Sequence, residues 1–303
     1  MNRRHFLSTA ASALGASALP AIEPINRKGK SRMMLGLAAY SFRENMKWMK
    51  DKENKVKEGR PVWEITDFID YCAEQGCAGA ELTSYFFPPT ADEDYLLALK
   101  RQAYLRGVTI TGTAVGNTFT HPEGEARDKE ISYVSAWIEK AALMGAPHIR
   151  VFAGTVPKGS TAEQAEKNCI ECYTQCLEIA GRYGVILGLE NHGGIVAEPD
   201  ALIRIMKAVD SPWAGINWDS GNFHTEDPYG DLAKVAPYAV NVQLKMKVHA
   251  KGDKEGKPSD VPRVLQILRD ANYQGWFTLE YEDKEDPFTA VPRILGEVTG
   301  LLG

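Results

Sequence analysis

A closed (β/α)₈ barrel in a single domain is the fold predicted by this sequence, and three observations predict it. From Leu35 onward, short apolar runs alternate with longer amphipathic segments, the pattern of repeated β-α units around a parallel sheet. Each of the eight apolar runs is followed by a segment of helical period. The roughly 280 residues they occupy are an ordinary length for one α/β barrel, and no low-complexity linker divides them.

In chain order, the first unit pairs a strand at 34–40 with a helix at 64–75, closed by Gly76. The second (78–82, then 93–106) ends at Gly107, the third (109–115, then 127–144) at Gly145, and the fourth (148–153, then 162–183) at Gly184. Glycine accepts the left-handed conformation that commonly stops a helix. The fifth unit is 185–190 with 199–209, and the sixth is 214–219 with a short helix at 229–235. The seventh, 239–245 with 259–271, stops at Asn272, and the eighth is 276–281 with 287–301. The connection at 43–63 is long and charge-rich, punctuated by Trp48, Gly59 and Pro61. Loops of this kind are commonly functional or disordered, and this one follows a strand on the catalytic face. A lid over the substrate and a solvated insertion are both open readings.

The N-terminus is set apart from the barrel, which is expected at residues 22–303. Asn2, Arg3, Arg4, His5, Phe6 and Leu7 give the paired arginines and apolar pair of a twin-arginine export signal, and 9–19 is small and apolar. That run is too short to span a bilayer. Cleavage after Ala18 and after Ala21 both fit, so residues 1–21 are assigned to a signal and the mature protein to the periplasm. An uncleaved N-terminal anchor is the competing reading.

Removing Arg3 and Arg4 takes the formal charge from −5 to about −7. An acidic chain lacks the clustered Lys and Arg that hold nucleic-acid backbones, so a nucleic-acid partner is not expected. Five cysteines are an odd number in a long chain, not a disulfide scaffold. Cys169, Cys172 and Cys176 share one helical face and read as small core residues, as do Cys72 and Cys77.

The chemistry is carried by four polar residues, each placed directly after an apolar run: Glu190, Asp219, Gln243 and Glu280. Their spacings of 29, 24 and 37 residues each match one β-α unit, so they converge from strands five to eight on one side of the barrel mouth. Three carboxylates brought together there repel one another unless a cation compensates them. A divalent metal held by Glu190, Asp219, Gln243 and Glu280 removes the conflict. An all-oxygen set favours Mg²⁺ or Mn²⁺ over Zn²⁺. Glu81, Asn191, His192, Asn222 and Lys245 are candidates for contact with substrate hydroxyls. Lys245 lies on the same side of the pleat as Gln243, and an ion pair with a site carboxylate is its alternative. Arg150 is placed to pair with Glu81 or Glu190, His121, His224 and His249 read as surface histidines, and His148 is given no role.

The motifs Leu189-Glu190-Asn191, Asp219-Ser220-Gly221-Asn222, Gln243-Leu244-Lys245 and Leu279-Glu280-Tyr281 resemble those of the xylose isomerase-like barrel superfamily, in its sugar isomerase and epimerase branch. Two positions depart from that pattern: the usual strand-seven His is Gln243, and a His found in some epimerases is Asn222. Metal-dependent endonucleases share the fold. However, the five histidines left after residues 1–21 do not form the set a multi-zinc endonuclease needs.

The resemblance implies that Glu190 and Glu280 are the acid and base pair that moves a proton next to a carbonyl, with the metal stabilising the resulting oxyanion charge. Export points to an unphosphorylated sugar or keto-sugar, because sugar phosphates are intracellular. An isomerase or epimerase is expected first. The same proton abstraction serves β-elimination from a 3-keto-glycoside, which makes a lyase the alternative. A non-catalytic carbohydrate-binding barrel is the third reading. A homo-oligomer is compatible with the sequence, and no stable membrane insertion is expected after cleavage.

Overall fold

The two-residue period of an extended chain divides every strand of this protein between two environments, and that division builds the barrel. The computed structural model describes residues 23–302; the expected signal at 1–21 lies outside them. The eight barrel strands are β1 (Arg32–Ala38), β2 (Gly79–Thr83), β3 (Thr109–Ala114), β4 (His148–Val151), β5 (Ile186–Glu190), β6 (Ala214–Asp219), β7 (Ala239–Leu244) and β8 (Gln274–Leu279). They are parallel and ordered β1-β8-β7-β6-β5-β4-β3-β2, and β1 pairs with both β8 and β2 to close the ring.

The helices are α1 (Ile65–Glu74), α2 (Glu93–Leu105), α3 (Glu125–Met144), α4 (Ala162–Tyr183), α5 (Pro199–Ala208), α6 (Pro228–Val235), α7 (Val261–Asp270) and α8 (Pro287–Leu302). Local chemistry fixes their ends. Thr161 and Gln164 form a reciprocal capping box at the start of α4, and Gly145 and Gly184 take the left-handed conformation after α3 and α4. Among the described residues no helix is long and apolar enough to cross a membrane.

One set of strand residues (Leu187, Leu189, Ile216, Trp218, Val242, Leu244, Phe277, Leu279) is buried with the helices in a continuous apolar layer. Trp218 donates its indole N–H to the Leu232 carbonyl of α6, and the Tyr173 hydroxyl of α4 donates to the Leu187 carbonyl. All five cysteines are buried and free, as small core residues should be. Phe42, Trp63, Tyr71 and Phe288 pack with ring centroids 4.8 to 6.2 Å apart and pin both ends of the 43–63 connection. Within that connection Trp48–Met49 pairs with Lys52–Glu53 as a small hairpin, and the Lys50 N–H donates to the Tyr85 carbonyl at 2.8 Å. The loop is therefore docked at the carboxyl end of the barrel strands, against the segment that follows β2.

The other set faces the lumen and is polar near its mouth. At its floor His148 sits between β3 and β5, where Gly112 and Gly188 leave room for the imidazole. Burial drives its pKa down to about 3, so the ring is neutral. A Cβ at Gly188 would lie 2.4 Å from His148 Nε2 and 3.1 Å from the Asn217 backbone nitrogen. Gly188→Ala is expected to cost about 1–3 kcal/mol through overpacking, measurable as a lower denaturation midpoint with an unchanged slope. Unchanged stability would mean the floor has slack that these distances deny.

Candidate active site

The lumen-facing residues meet at the carboxyl ends of the strands. Glu190 and Asp219 are the last residues of β5 and β6, Gln243 is the penultimate residue of β7, and Glu280 follows β8 directly. Glu81 enters from the middle of β2. Register shifts occur between Ala80 and Glu81 in the β2–β3 pairing and between Ile216 and Asn217 in the β6–β7 pairing. Such irregularities re-aim side chains, and here each falls next to a lumen residue.

Two carboxylates are joined across the lumen by amides. The Gln243 side-chain nitrogen donates to both Glu81 oxygens, at 2.8 and 2.7 Å. Asn241 donates to Glu81 Oε2 at 3.2 Å and to Asn217 Oδ1 at 2.8 Å, and Asn217 in turn donates to Glu190 Oε2 at 3.1 Å. Glu190 also accepts from Asn222 at 2.9 Å and pairs with Arg150 Nε at 3.1 Å. The Arg150 guanidinium lies 3.9 Å from the centre of the Phe152 ring, which packs on His192 at 4.4 Å.

A second cation serves the remaining carboxylates. Lys245 Nζ lies 2.9 Å from Glu280 Oε2 and 3.7 Å from Asp219 Oδ2, and it also contacts Glu282. Both polar atoms of the Asn191 side-chain amide are committed to the Asp219 backbone: Nδ2 donates to its carbonyl at 2.9 Å, and Oδ1 accepts from its N–H at 2.8 Å. The structure thus brings Glu81, Glu190, Asp219, Gln243, Glu280, Asn222 and Lys245 into one polar cluster. Asn191 sits behind Asp219 and His192 at the rim.

Burial shapes the electrostatics. It pushes Glu81 up to about 7, with the nearby Glu280 adding to the effect. It pushes Glu190 up to about 7 against the pull of Arg150, and raises Asp219 well above the usual carboxylate range against the pull of Lys245. Glu280 differs: burial would raise it, but Lys245 and then Arg150 outweigh burial and hold it below its ordinary value. For Lys245, burial disfavours the charge, but Glu280, Asp219 and Glu282 prevail and hold it well above the lysine range.

Four buried carboxylates (Glu81, Glu190, Asp219, Glu280) face two cations, Arg150 and Lys245, so full ionisation would leave two negative charges uncompensated, and the raised values of Glu81, Glu190 and Asp219 are the response to that excess and to burial. Two buried acceptor oxygens, Asp219 Oδ2 and Gln243 Oε1, have no hydrogen-bond donor. An excess of two charges and two orphaned oxygens suit a divalent, oxygen-preferring ion. Among the described residues, however, no three His, Cys, Asp or Glu side chains are drawn together at metal-binding spacing. Two causes are visible: Lys245 stands between Asp219 and Glu280, and Arg150 with two amides occupies Glu190.

Asn217, Asn241 and Glu282 are participants the sequence reading did not single out. For the two asparagines the signal was the strand period: Asn217 precedes Asp219 by two residues and Asn241 precedes Gln243 by two, whereas Glu282 lies in the loop after β8 and carries no such signal. Outside the cluster, a cavity of about 700 Å³ opens over Lys245 and Glu280. It is lined by His224 and His249, whose rings stack with centroids 5.0 Å apart, and by Lys247, Lys254 and Asp283.

Residues 69–297 match the family described as xylose isomerase-like TIM barrel. The chain belongs to this family. A curated relative, an uncharacterized protein of Methanocaldococcus jannaschii, is 26% identical over 166 residues; the match covers 49% of this chain, and the chain spans only 55% of that relative's length. Among solved structures of similar fold, the IOLI protein with a bound zinc atom has a TM-score of 0.68 at 16% identity, covering 89% of this chain and 96% of that one. The 3-keto-D-glucoside 4-epimerase of E. coli in its apo form has a TM-score of 0.64 at 17% identity, covering 89% and 100%.

Proposed function

We propose that this xylose isomerase-like barrel is an exported, periplasmic, divalent-metal-dependent sugar isomerase or epimerase. In this reading it removes a proton next to a carbonyl of an unphosphorylated sugar or keto-sugar. The observation that carries it is the charge imbalance at the mouth, where four buried carboxylates face two cations beside two orphaned oxygens. The zinc of one structural neighbour and the keto-sugar epimerase activity in the name of another are in keeping with it.

Glu190, Asp219, Gln243 and Glu280 would hold the ion, with Mg²⁺ or Mn²⁺ favoured by the oxygen donors. A divalent ion there would supply Lewis-acid stabilisation of the negative charge that develops on the sugar oxygens. The chain supplies the proton transfers. Glu280, ionised beside Lys245, and Glu190, fixed by Arg150, Asn217 and Asn222, form the pair: one takes the proton and the other returns it. Asn222 and Lys245 present donors to substrate hydroxyls, and Asn191 positions Asp219 through its backbone.

The cavity beyond Glu280 favours a second reading. At about 700 Å³ it has room for more than a single sugar ring. A 3-keto-glycoside bound with its aglycone there would undergo β-elimination after the same proton abstraction. Incubation of the Mn²⁺-loaded protein with a 3-keto-glucoside in heavy water separates the readings. Deuterium incorporation without aglycone release supports the epimerase, incorporation with release supports the lyase, and neither process rejects both for this substrate.

A further inference from the structure

We propose that Lys245 is a built-in counter-ion that competes with the divalent ion for Asp219 and Glu280 and moves onto Glu282 when the ion binds. The inference rests on the metal reading above and concerns how that site is kept and filled.

Three observations combine. The first is position: the Lys245 ammonium lies 2.9 Å from Glu280 Oε2 and 3.7 Å from Asp219 Oδ2, so it occupies the space between two of the expected ligands. A second positive ion drawn to the same oxygens meets direct repulsion.

The second is a destination. Lys245 also contacts Glu282, whose side chain is 38% exposed, whereas those of Asp219 and Glu280 are 0% and 10% exposed. Glu282 borders the open cavity and is not among the proposed ligands, so the ammonium can stay paired there while the buried oxygens are released.

The third is a fixed pivot. The Lys245 N–H donates to Ser220 Oγ at 2.8 Å. Gly221 packs so closely on the side-chain stem that a Cβ there would stand 2.7 Å from Lys245 Cβ and 2.8 Å from its Cγ. The base of the side chain is thus clamped, and only its flexible outer stem is free to swing. The Asp219-Ser220-Gly221 run therefore supplies one expected ligand and the seat of that ligand's competitor. The ammonium supplies positive charge to Asp219 and Glu280 that a divalent ion would take over on binding.

The test is calorimetric titration of the metal-stripped protein with Mn²⁺, comparing wild type, Lys245→Met and Glu282→Gln, with circular dichroism to confirm folding. Lys245→Met keeps the length and removes the charge, and it is expected to bind Mn²⁺ about tenfold more tightly. Glu282→Gln removes the destination and is expected to bind about threefold or more weakly. A change below threefold in Lys245→Met, or a loss of affinity, overturns the competition while leaving the metal reading intact. Binding by Lys245→Met alone supports the competition and rejects metal use by the native protein. Failure of all three to bind rejects both. Should the Lys245 variant not fold, wild-type crystals with and without Mn²⁺ decide: Nζ paired only with Glu282 in the loaded state supports the proposal, and Nζ still between Asp219 and Glu280 overturns it.

Discussion

Glu190→Gln is expected to slow proton exchange from a keto-sugar by about 10²–10⁴-fold, the usual contribution of a positioned acid–base group. The substitution is nearly isosteric but reverses one end of the hydrogen-bonding pattern. Glu190 receives donors at both oxygens, from Asn222 on one side and from Arg150 and Asn217 on the other. An amide can accept at only one of these ends, so its NH₂ must face a donor. Arg150, itself buried, also loses its directly paired carboxylate, and breaking such pairs costs about 3–5 kcal/mol. A lower melting temperature is therefore expected together with the lost exchange. Glu190→Asp separates the two effects: it keeps the charge but withdraws the carboxylate, so stability should recover more than rate. Both are read by NMR detection of deuterium exchange and by thermal unfolding. Exchange in Glu190→Gln within threefold of wild type would remove Glu190 from the proton-transfer pair.

The fold was legible because a parallel barrel writes its period twice, as apolar runs for strands and amphipathic stretches for helices. The expected 214–219 and 162–183 coincide with β6 and α4. The deviations have local causes. β1 and β8 begin two residues earlier than the expected 34–40 and 276–281, because Arg32 pairs with Gln274 and Met33 with Gly275. Backbone pairing runs on to Arg32 and Gln274, polar residues that an apolar count excludes. The helix expected at 64–75 starts at Ile65 because Glu64 is its N-cap, bonded reciprocally with Asp67.

The site was legible only in part, for a related reason. Glu190, Asp219 and Glu280 stand where apolar runs stop, and so they are conspicuous. Asn217 and Asn241 lie inside such runs, masked by neighbours that face the helices. Strands buried on both faces read as continuous apolar segments, and a polar residue within one looks like a defect until its lumen partners are known. Glu282 was invisible for the opposite reason: it sits in an acidic loop, and only the position of Lys245 distinguishes it from its neighbours. The sequence allows Arg150 to pair with Glu81 or Glu190; geometry selects Glu190 at 3.1 Å and leaves Glu81 to the amides of Gln243 and Asn241.

The metal-stripped protein should lose stability between pH 5 and pH 8, which is unusual for a chain rich in carboxylates. Burial raises both Glu81 and Glu190 from 4.5 to about 7 in the folded state. A carboxyl group raised on folding binds its proton more tightly in the native form, so its contribution is complete below about pH 4.5 and disappears as the pH rises through about 7. For Glu81 alone this shift corresponds to on the order of 3 kcal/mol. Glu280 has the opposite sign: its lowered value contributes stability above the ordinary carboxylate range and loses it in acid, outside this window. A bound divalent ion should reverse the slope, because it needs the carboxylates ionised and competes with protons for the same oxygens. Guanidinium unfolding of the stripped protein is therefore expected to give a lower free energy at pH 8 than at pH 5, with Mn²⁺ restoring it at pH 8. Glu81→Gln should remove only part of the fall, since the neutral amide replaces one of three groups, Glu81, Glu190 and Asp219, that burial makes reluctant to ionise. A stripped protein whose stability is flat from pH 5 to pH 8 would show that the buried charges at the mouth are already balanced without protons or metal.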